Sequence, residues 1–166
     1  MRNLLIVTFL LAITPAKYSL VQNNLLFTQF LSGVLLLSSL FQVSSLVKAV
    51  LNFVMSTCLL FIVAVLFGVQ PLISFEKTIS WAAFMSALIL PLIPKDFMET
   101  VTGKTRNSKI IISTLIGSWF GAFVIPLDWA TEWQVWPIPN TVMSVVGLAV
   151  GHFITYFTSA ESRKSK

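Results

Sequence analysis

Charge is what this sequence has least of. Only 10% of its 166 residues are charged, 11 Lys+Arg against 6 Asp+Glu, where soluble domains average about 25%. A chain this small exposes much of its surface in any compact fold, and so few charged groups cannot solvate it. A soluble globular fold is therefore excluded. Disorder, collagen and coiled coil are excluded too, since each needs a polar or strictly repetitive composition. A single cysteine, Cys58, sits inside an apolar run and has no intrachain disulfide partner, so redox compartment leaves no trace. A single histidine, His152, and scattered carboxylates give metal-assisted chemistry little to build on.

What is present is hydrophobicity: 56% of residues are apolar and the mean hydropathy is +0.88. The apolar residues form long unbroken runs, not the apolar–polar alternation of a membrane barrel. The expected fold class is therefore all-α, a polytopic transmembrane helical bundle in one domain, 1–166. A hydrocarbon core of ~30 Å takes about 20 helical residues, and six runs come near that length: 3–16, 25–42, 49–69, 77–93, 109–127 and 139–158. The first is short. Arg2, the apolar stretch 4–13 and Thr14-Pro15-Ala16 also read as a signal peptide with its cleavage site, so a retained first helix and a cleaved leader both stand.

Orientation follows from the placement of positive charge. Arg2, Lys48, Lys95, Lys104, Arg106, Lys109, Arg163, Lys164 and Lys166 flank alternate ends of the runs on one side, against Lys17 and Lys77 on the other. Nine against two predicts that both termini are cytosolic. The same scatter at span ends, in place of a clustered patch, argues against nucleic acid as a partner. The ending Arg163-Lys164-Ser165-Lys166 reads equally as a plain positive anchor or as a dibasic retrieval signal of the endoplasmic reticulum.

Two features rise above hydropathy. Gly117 and Gly121 repeat at four residues in the fifth run, and Gly147 and Gly151 do so in the sixth. Small residues at that spacing share one helix face and let backbones approach closely, so the two stripes predict packing on each other or on a partner protein. Between them lies a stretch rich in proline and tryptophan: Pro126, Asp128, Trp129, Glu132, Trp133, Trp136, Pro137 and Pro139, with Trp119 just before it. Indoles favour the membrane interface and prolines stop helices, which makes this a stiff interfacial hairpin on the lumenal side. Asp128 is expected to fix the turn by accepting hydrogen bonds. Lone His152 is expected to bond a neighbouring helix.

The run Gly117-Ser118-Trp119-Phe120-Gly121-Ala122-Phe123-Val124-Ile125-Pro126-Leu127-Asp128-Trp129, followed by Trp133-Gln134-Val135-Trp136-Pro137-Ile138, resembles the signature of the PIG-F family. A weaker likeness reaches Phe67-Gly68-Val69-Gln70-Pro71-Leu72, while Thr131-Glu132 replace the Arg-Pro usual in that family. The resemblance implies a six-helix protein of the endoplasmic reticulum membrane acting in glycosylphosphatidylinositol (GPI) anchor synthesis. It implies a non-catalytic subunit that binds and stabilises ethanolamine-phosphate transferases of the PIG-O and PIG-G kinds. No cofactor of its own is implied, the metal belonging to the partner transferase. Partner contact is expected at Gly117, Trp119, Gly121, Gly147 and Gly151, with the hairpin of Pro126, Asp128, Trp129, Trp133, Trp136 and Pro137 near membrane lipid or the GPI precursor.

The residues alone leave two other classes open. One is an enzyme acting on a lipid headgroup or GPI precursor at the lumenal interface through Asp128 and Glu132. The other is a small transporter, which usually shows broken helices and charges at mid-membrane; Pro91 and Pro94 are the only such mark here.

Overall fold

The computed structural model describes residues 1–13, 23–40, 45–93, 105–127, 129 and 131–164. These residues form six α-helices and no strand. The helices are α1 (Arg2–Ile13), α2 (Asn24–Leu40), α3 (Leu46–Leu66), α4 (Phe75–Ile89), α5 (Arg106–Val124) and α6 (Ile138–Lys164). Short 3-10 turns follow α4 at Leu90–Leu92 and α5 at Ile125–Leu127, and a third lies at Glu132–Gln134.

Helix ends follow local chemistry. Val69 N–H reaches the Ala64 carbonyl at 3.3 Å and Gly68 N–H reaches Val65 at 3.0 Å, the paired bonds that close a helix on a left-handed residue. Gly68 supplies that residue at φ +93°. The α4 helix stops at Ile89, short of the 93 expected from hydropathy, because Pro91 has no N–H to continue it. Thr105 opens α5 by accepting from Ser108 N–H at 3.2 Å. The last helix, by contrast, runs to Lys164, well past the apolar run ending at 158.

Helix α4 is the centre. Ten of its fifteen residues are buried, including Trp81, Phe84 and Met85. Small residues (Ser80, Ala82, Ser86, Ala87) let its neighbours come close from several sides, as interfaces in lipid require. Helices α2 and α3 flank it. Polar pairs join each flank: Gln29 Nε2 donates to Ser80 Oγ at 3.3 Å, and Thr57 Oγ1 donates to Ser86 Oγ at 3.1 Å. Helices α5 and α6 form the most extensive pair in the molecule, and α1 bridges α2 and α6.

Among the described residues, three helical stretches are long and apolar enough to cross a membrane: Leu46–Leu66, Arg106–Leu127 and Ile138–Thr158. Helix α2 falls just short in length, as the apolar segment Asn24–Ser39. The remaining two helices, α1 with 12 residues and α4 with 15, would extend only ~18 and ~22 Å at ~1.5 Å per residue.

Candidate functional site

The unit that the sequence singles out is the pair α5–α6 and the segment joining them. The four glycines meet face to face inside this chain. A Cβ on Gly121 would stand 2.7 Å from both Asn140 Cα and the Pro139 carbonyl oxygen. One on Gly117 would strike the Met143 carbonyl and come within 2.8 Å of Gly147 Cα; one on Gly147 would strike the Ser113 carbonyl. A Cβ on Gly151 would lie 2.9 Å from Ile110 Cα. Every one of these glycines thus confronts backbone, which cannot swing aside as a side chain can. Asn140, fully buried, adds a bond across the seam from its Nδ2 to the Ser118 carbonyl at 2.9 Å.

The joining segment is braced by a residue to which the sequence reading assigned no role. Gln134 is buried and bonds in two directions: its Nε2 donates to the Val124 carbonyl at 2.6 Å, and its Oε1 accepts from Trp129 N–H at 2.8 Å. Val124 is among the last residues of α5, whose carbonyls have no partner within the helix. One side-chain amide therefore caps the helix and holds the loop to it. The motif places Gln134 at a fixed step after Trp133, but only the turn geometry brings it back to Val124. Asp128, expected to fix this turn, lies outside the described residues.

The tryptophans divide. Trp136 turns inward and packs at a tilt against fully buried Trp81 of α4, ring centroids 5.2 Å apart, tying the segment to the centre of the bundle. The peptide joining it to Pro137 is cis. Trp129 and Trp133 face outward and pack on each other at 5.9 Å. Trp119 is outward as well, on α5, with Phe123 at 4.5 Å and Phe120 at 5.5 Å. Together with Ile116 these residues fall at helical spacing and make one exposed apolar strip on the side of α5 away from its glycines. Pro126 sits in the 3-10 turn that ends α5, and Pro137 is buried just before α6.

Glu132 is exposed in its 3-10 turn. Among the described residues, no three of His, Cys, Asp and Glu converge in a way that would hold a metal ion. His152 lies away from the segment, midway along α6, where its Nε2 meets the Met1 amine at 2.9 Å.

Residues 4–156 match the family described as "GPI biosynthesis protein family Pig-F". A mouse protein named "GPI ethanolamine phosphate transferase, stabilizing subunit" is 35% identical over 129 residues, covering 69% of this chain and 58% of its own length. The human protein of that name is 32% identical over the same extent. A Kluyveromyces lactis protein named "Glycosylphosphatidylinositol anchor biosynthesis protein 11" is 48% identical over 46 residues, 28% of this chain and 21% of its own. The chain thus spans somewhat over half the length of its mouse and human relatives. No solved structure matches it. A match that takes in part or all of each of the six helices, from α1 to α6, places this chain in the Pig-F family of GPI-biosynthesis proteins.

Proposed function

We propose that this chain is a non-catalytic membrane subunit that binds and stabilises an ethanolamine-phosphate transferase of the PIG-O or PIG-G kind in the endoplasmic reticulum. The observation that carries the reading is the name of the mouse and human relatives, each the stabilizing subunit of a GPI ethanolamine phosphate transferase and each aligned over 129 residues. All six helices cross the membrane in this reading, with both termini cytosolic and the Trp129–Trp136 segment lumenal. The central α4 is sheltered by its neighbours, whereas α1 lies at the periphery with Leu5 and Phe9 exposed.

The geometry supports a division of labour within the pair α5–α6. Its glycines are engaged with each other, so they serve the partner indirectly, by holding two helices as one rigid plate. The contact surface is the opposite face of α5, the strip of Ile116, Trp119, Phe120 and Phe123. Lipid gives apolar helices no hydrophobic drive to associate, so shape and packing decide which surfaces pair. A row of interlocked aromatic rings is a stiff shape that a partner helix can match and fluid lipid cannot.

Expression of a tagged chain in cells lacking their own family member tests this. The expected result is a large transferase co-purifying at near-equal stoichiometry in mild detergent, with transferase levels falling when the chain is withdrawn. The triple change Trp119→Ala, Phe120→Ala, Phe123→Ala is expected to lose the transferase while the chain itself still accumulates. A solitary, stable chain, and a transferase indifferent to its presence, would rule the reading out.

A further inference from the structure

At the end of the bundle away from the tryptophan segment, α1, α4 and α6 enclose a cleft of about 120 Å³, far more than the ~10–15 Å³ that a single water needs. Its walls are Leu88, Leu92 and Leu148; its polar lining is Met1, Arg2, Asn3 and His152. Asn3 is committed elsewhere: its Nδ2 donates to the carbonyls of Ala87 and Leu88 at 3.3 and 3.2 Å, and its Oδ1 accepts from Ser38 Oγ at 3.2 Å. Arg2 spends one guanidinium N–H on the Ser38 carbonyl and keeps four others.

His152 is buried, and its Nδ1 has no partner. With Nε2 accepting from the ammonium of Met1 at 2.9 Å, the ring proton resides on Nδ1, which makes that atom a donor lacking an acceptor. No carboxylate belongs to the described lining. Burial, and after it the Arg106 guanidinium, hold the Met1 amine below its ordinary pKa, since both disfavour its charged form.

We propose that this cleft is a binding site for one phosphate-bearing anion, received by Arg2 and the Nδ1–H of His152 against a wall of leucines. A guanidinium paired with an uncharged donor suits phosphate oxygens, which only accept. The leucine wall suits a phosphate attached to an acyl glycerol, and free phosphate shares the same polar chemistry. Nothing in this site depends on the transferase, and its test needs none.

The full chain in neutral detergent is titrated with dioctanoyl phosphatidate, with dioctanoyl phosphatidylcholine and with inorganic phosphate, and bound ligand is counted by native mass spectrometry. One phosphatidate per chain is expected. Arg2→Gln and His152→Phe should each weaken it about tenfold or more, the worth of one charge-assisted hydrogen bond, whereas Arg2→Lys should restore most of the affinity. Leu148→Phe, which fills the cleft and removes no charge, should also exclude the lipid. Variants are compared at equal helical circular dichroism. Phosphatidate bound in preference to phosphate identifies a lipid as the source; equal competition by phosphate identifies a soluble anion. No saturable binding of either, or binding that ignores all three weakening substitutions, overturns the proposal.

Discussion

Pro91 shows how one side chain reorganises its surroundings. Without an N–H, it leaves the Ala87 carbonyl of α4 unpaired, in a buried part of the bundle where such a group is costly. Two residues from other helices answer it: Asn3 from α1 at 3.3 Å and Ser39 from α2 at 3.4 Å. The proline, a break in one helix, thus becomes the fastening point of two more. Replacing Asn3 by Ala should destabilise the fold by about 1–3 kcal/mol, the cost of stranding buried acceptors. In a Pro91→Ala background, where residue 91 has its own N–H, that loss should shrink. A double-mutant cycle read by denaturant titration in mixed micelles checks the coupling, and strict additivity would count against it. Gln134→Ala should cost about 1–3 kcal/mol for the same reason, since Val124 and Trp129 both lose their partner. Its signature is a red shift in tryptophan emission as the segment loosens. Neither role was legible beforehand. Asn3 and Gln134 are polar residues in an apolar sequence, but their partners are set by how helices and turns return in space.

At the scale of helices, the glycines separate into those that face backbone and those that do not. Their four-residue spacing was plain in the sequence, and so was their sharing of one helix face; the surface they would meet was left open between a sister helix and a partner protein. Within this chain, each of Gly117, Gly121, Gly147 and Gly151 looks onto the opposing helix. Gly33, in the middle of α2, has nothing within 4 Å of where a Cβ would be. Alanine should therefore act with opposite sign at the two kinds of site. Gly147→Ala should destabilise by about 1–3 kcal/mol, because the helices must move apart. Gly33→Ala should stabilise by about 0.4–1 kcal/mol, because it only removes freedom from the unfolded chain. Thermal melts of the two variants in one detergent decide the matter; equal signs would show that the seam is not tight. The special place of α4 was not legible. Its hydropathy resembles that of its neighbours, and only packing shows it surrounded by them.

For the molecule as a whole, the apolar surface left over is large. Only 22% of the α3 window and 33% of the window running from α5 through Leu127 are buried within the chain. In water such a surface would aggregate; in a bilayer it is the expected exterior. In the proposed function that exterior serves both lipid and partner, and the aromatic strip on α5 is the part with enough shape to tell them apart. The arrangement in the membrane is directly testable. With Cys58 replaced by Ser, Glu132→Cys should react with an impermeant thiol reagent only once the lumen is opened. Ser162→Cys should react from the cytosol in intact microsomes. Labelling of both from one side would break the proposed topology, and exchanged accessibility of the two would reverse it.

Composition and the long unbroken apolar runs settled that this chain is helical and apolar enough for a membrane, because too few charges remain to solvate a soluble fold and a barrel would alternate apolar and polar residues. The run from Gly117 to Ile138 was enough to point to its family, because prolines, glycines and tryptophans at fixed steps encode a particular turn between two particular helices. What the sequence left undecided were the meetings of residues far apart in the chain: glycine against backbone, Trp136 against Trp81, Asn3 against the carbonyls left free near Pro91, His152 against the first residue. Hydrophobic pattern is a local property and survives any arrangement of the helices. Close approach and hydrogen bonding between them depend on distances of a few tenths of an ångström, which only the packed bundle decides.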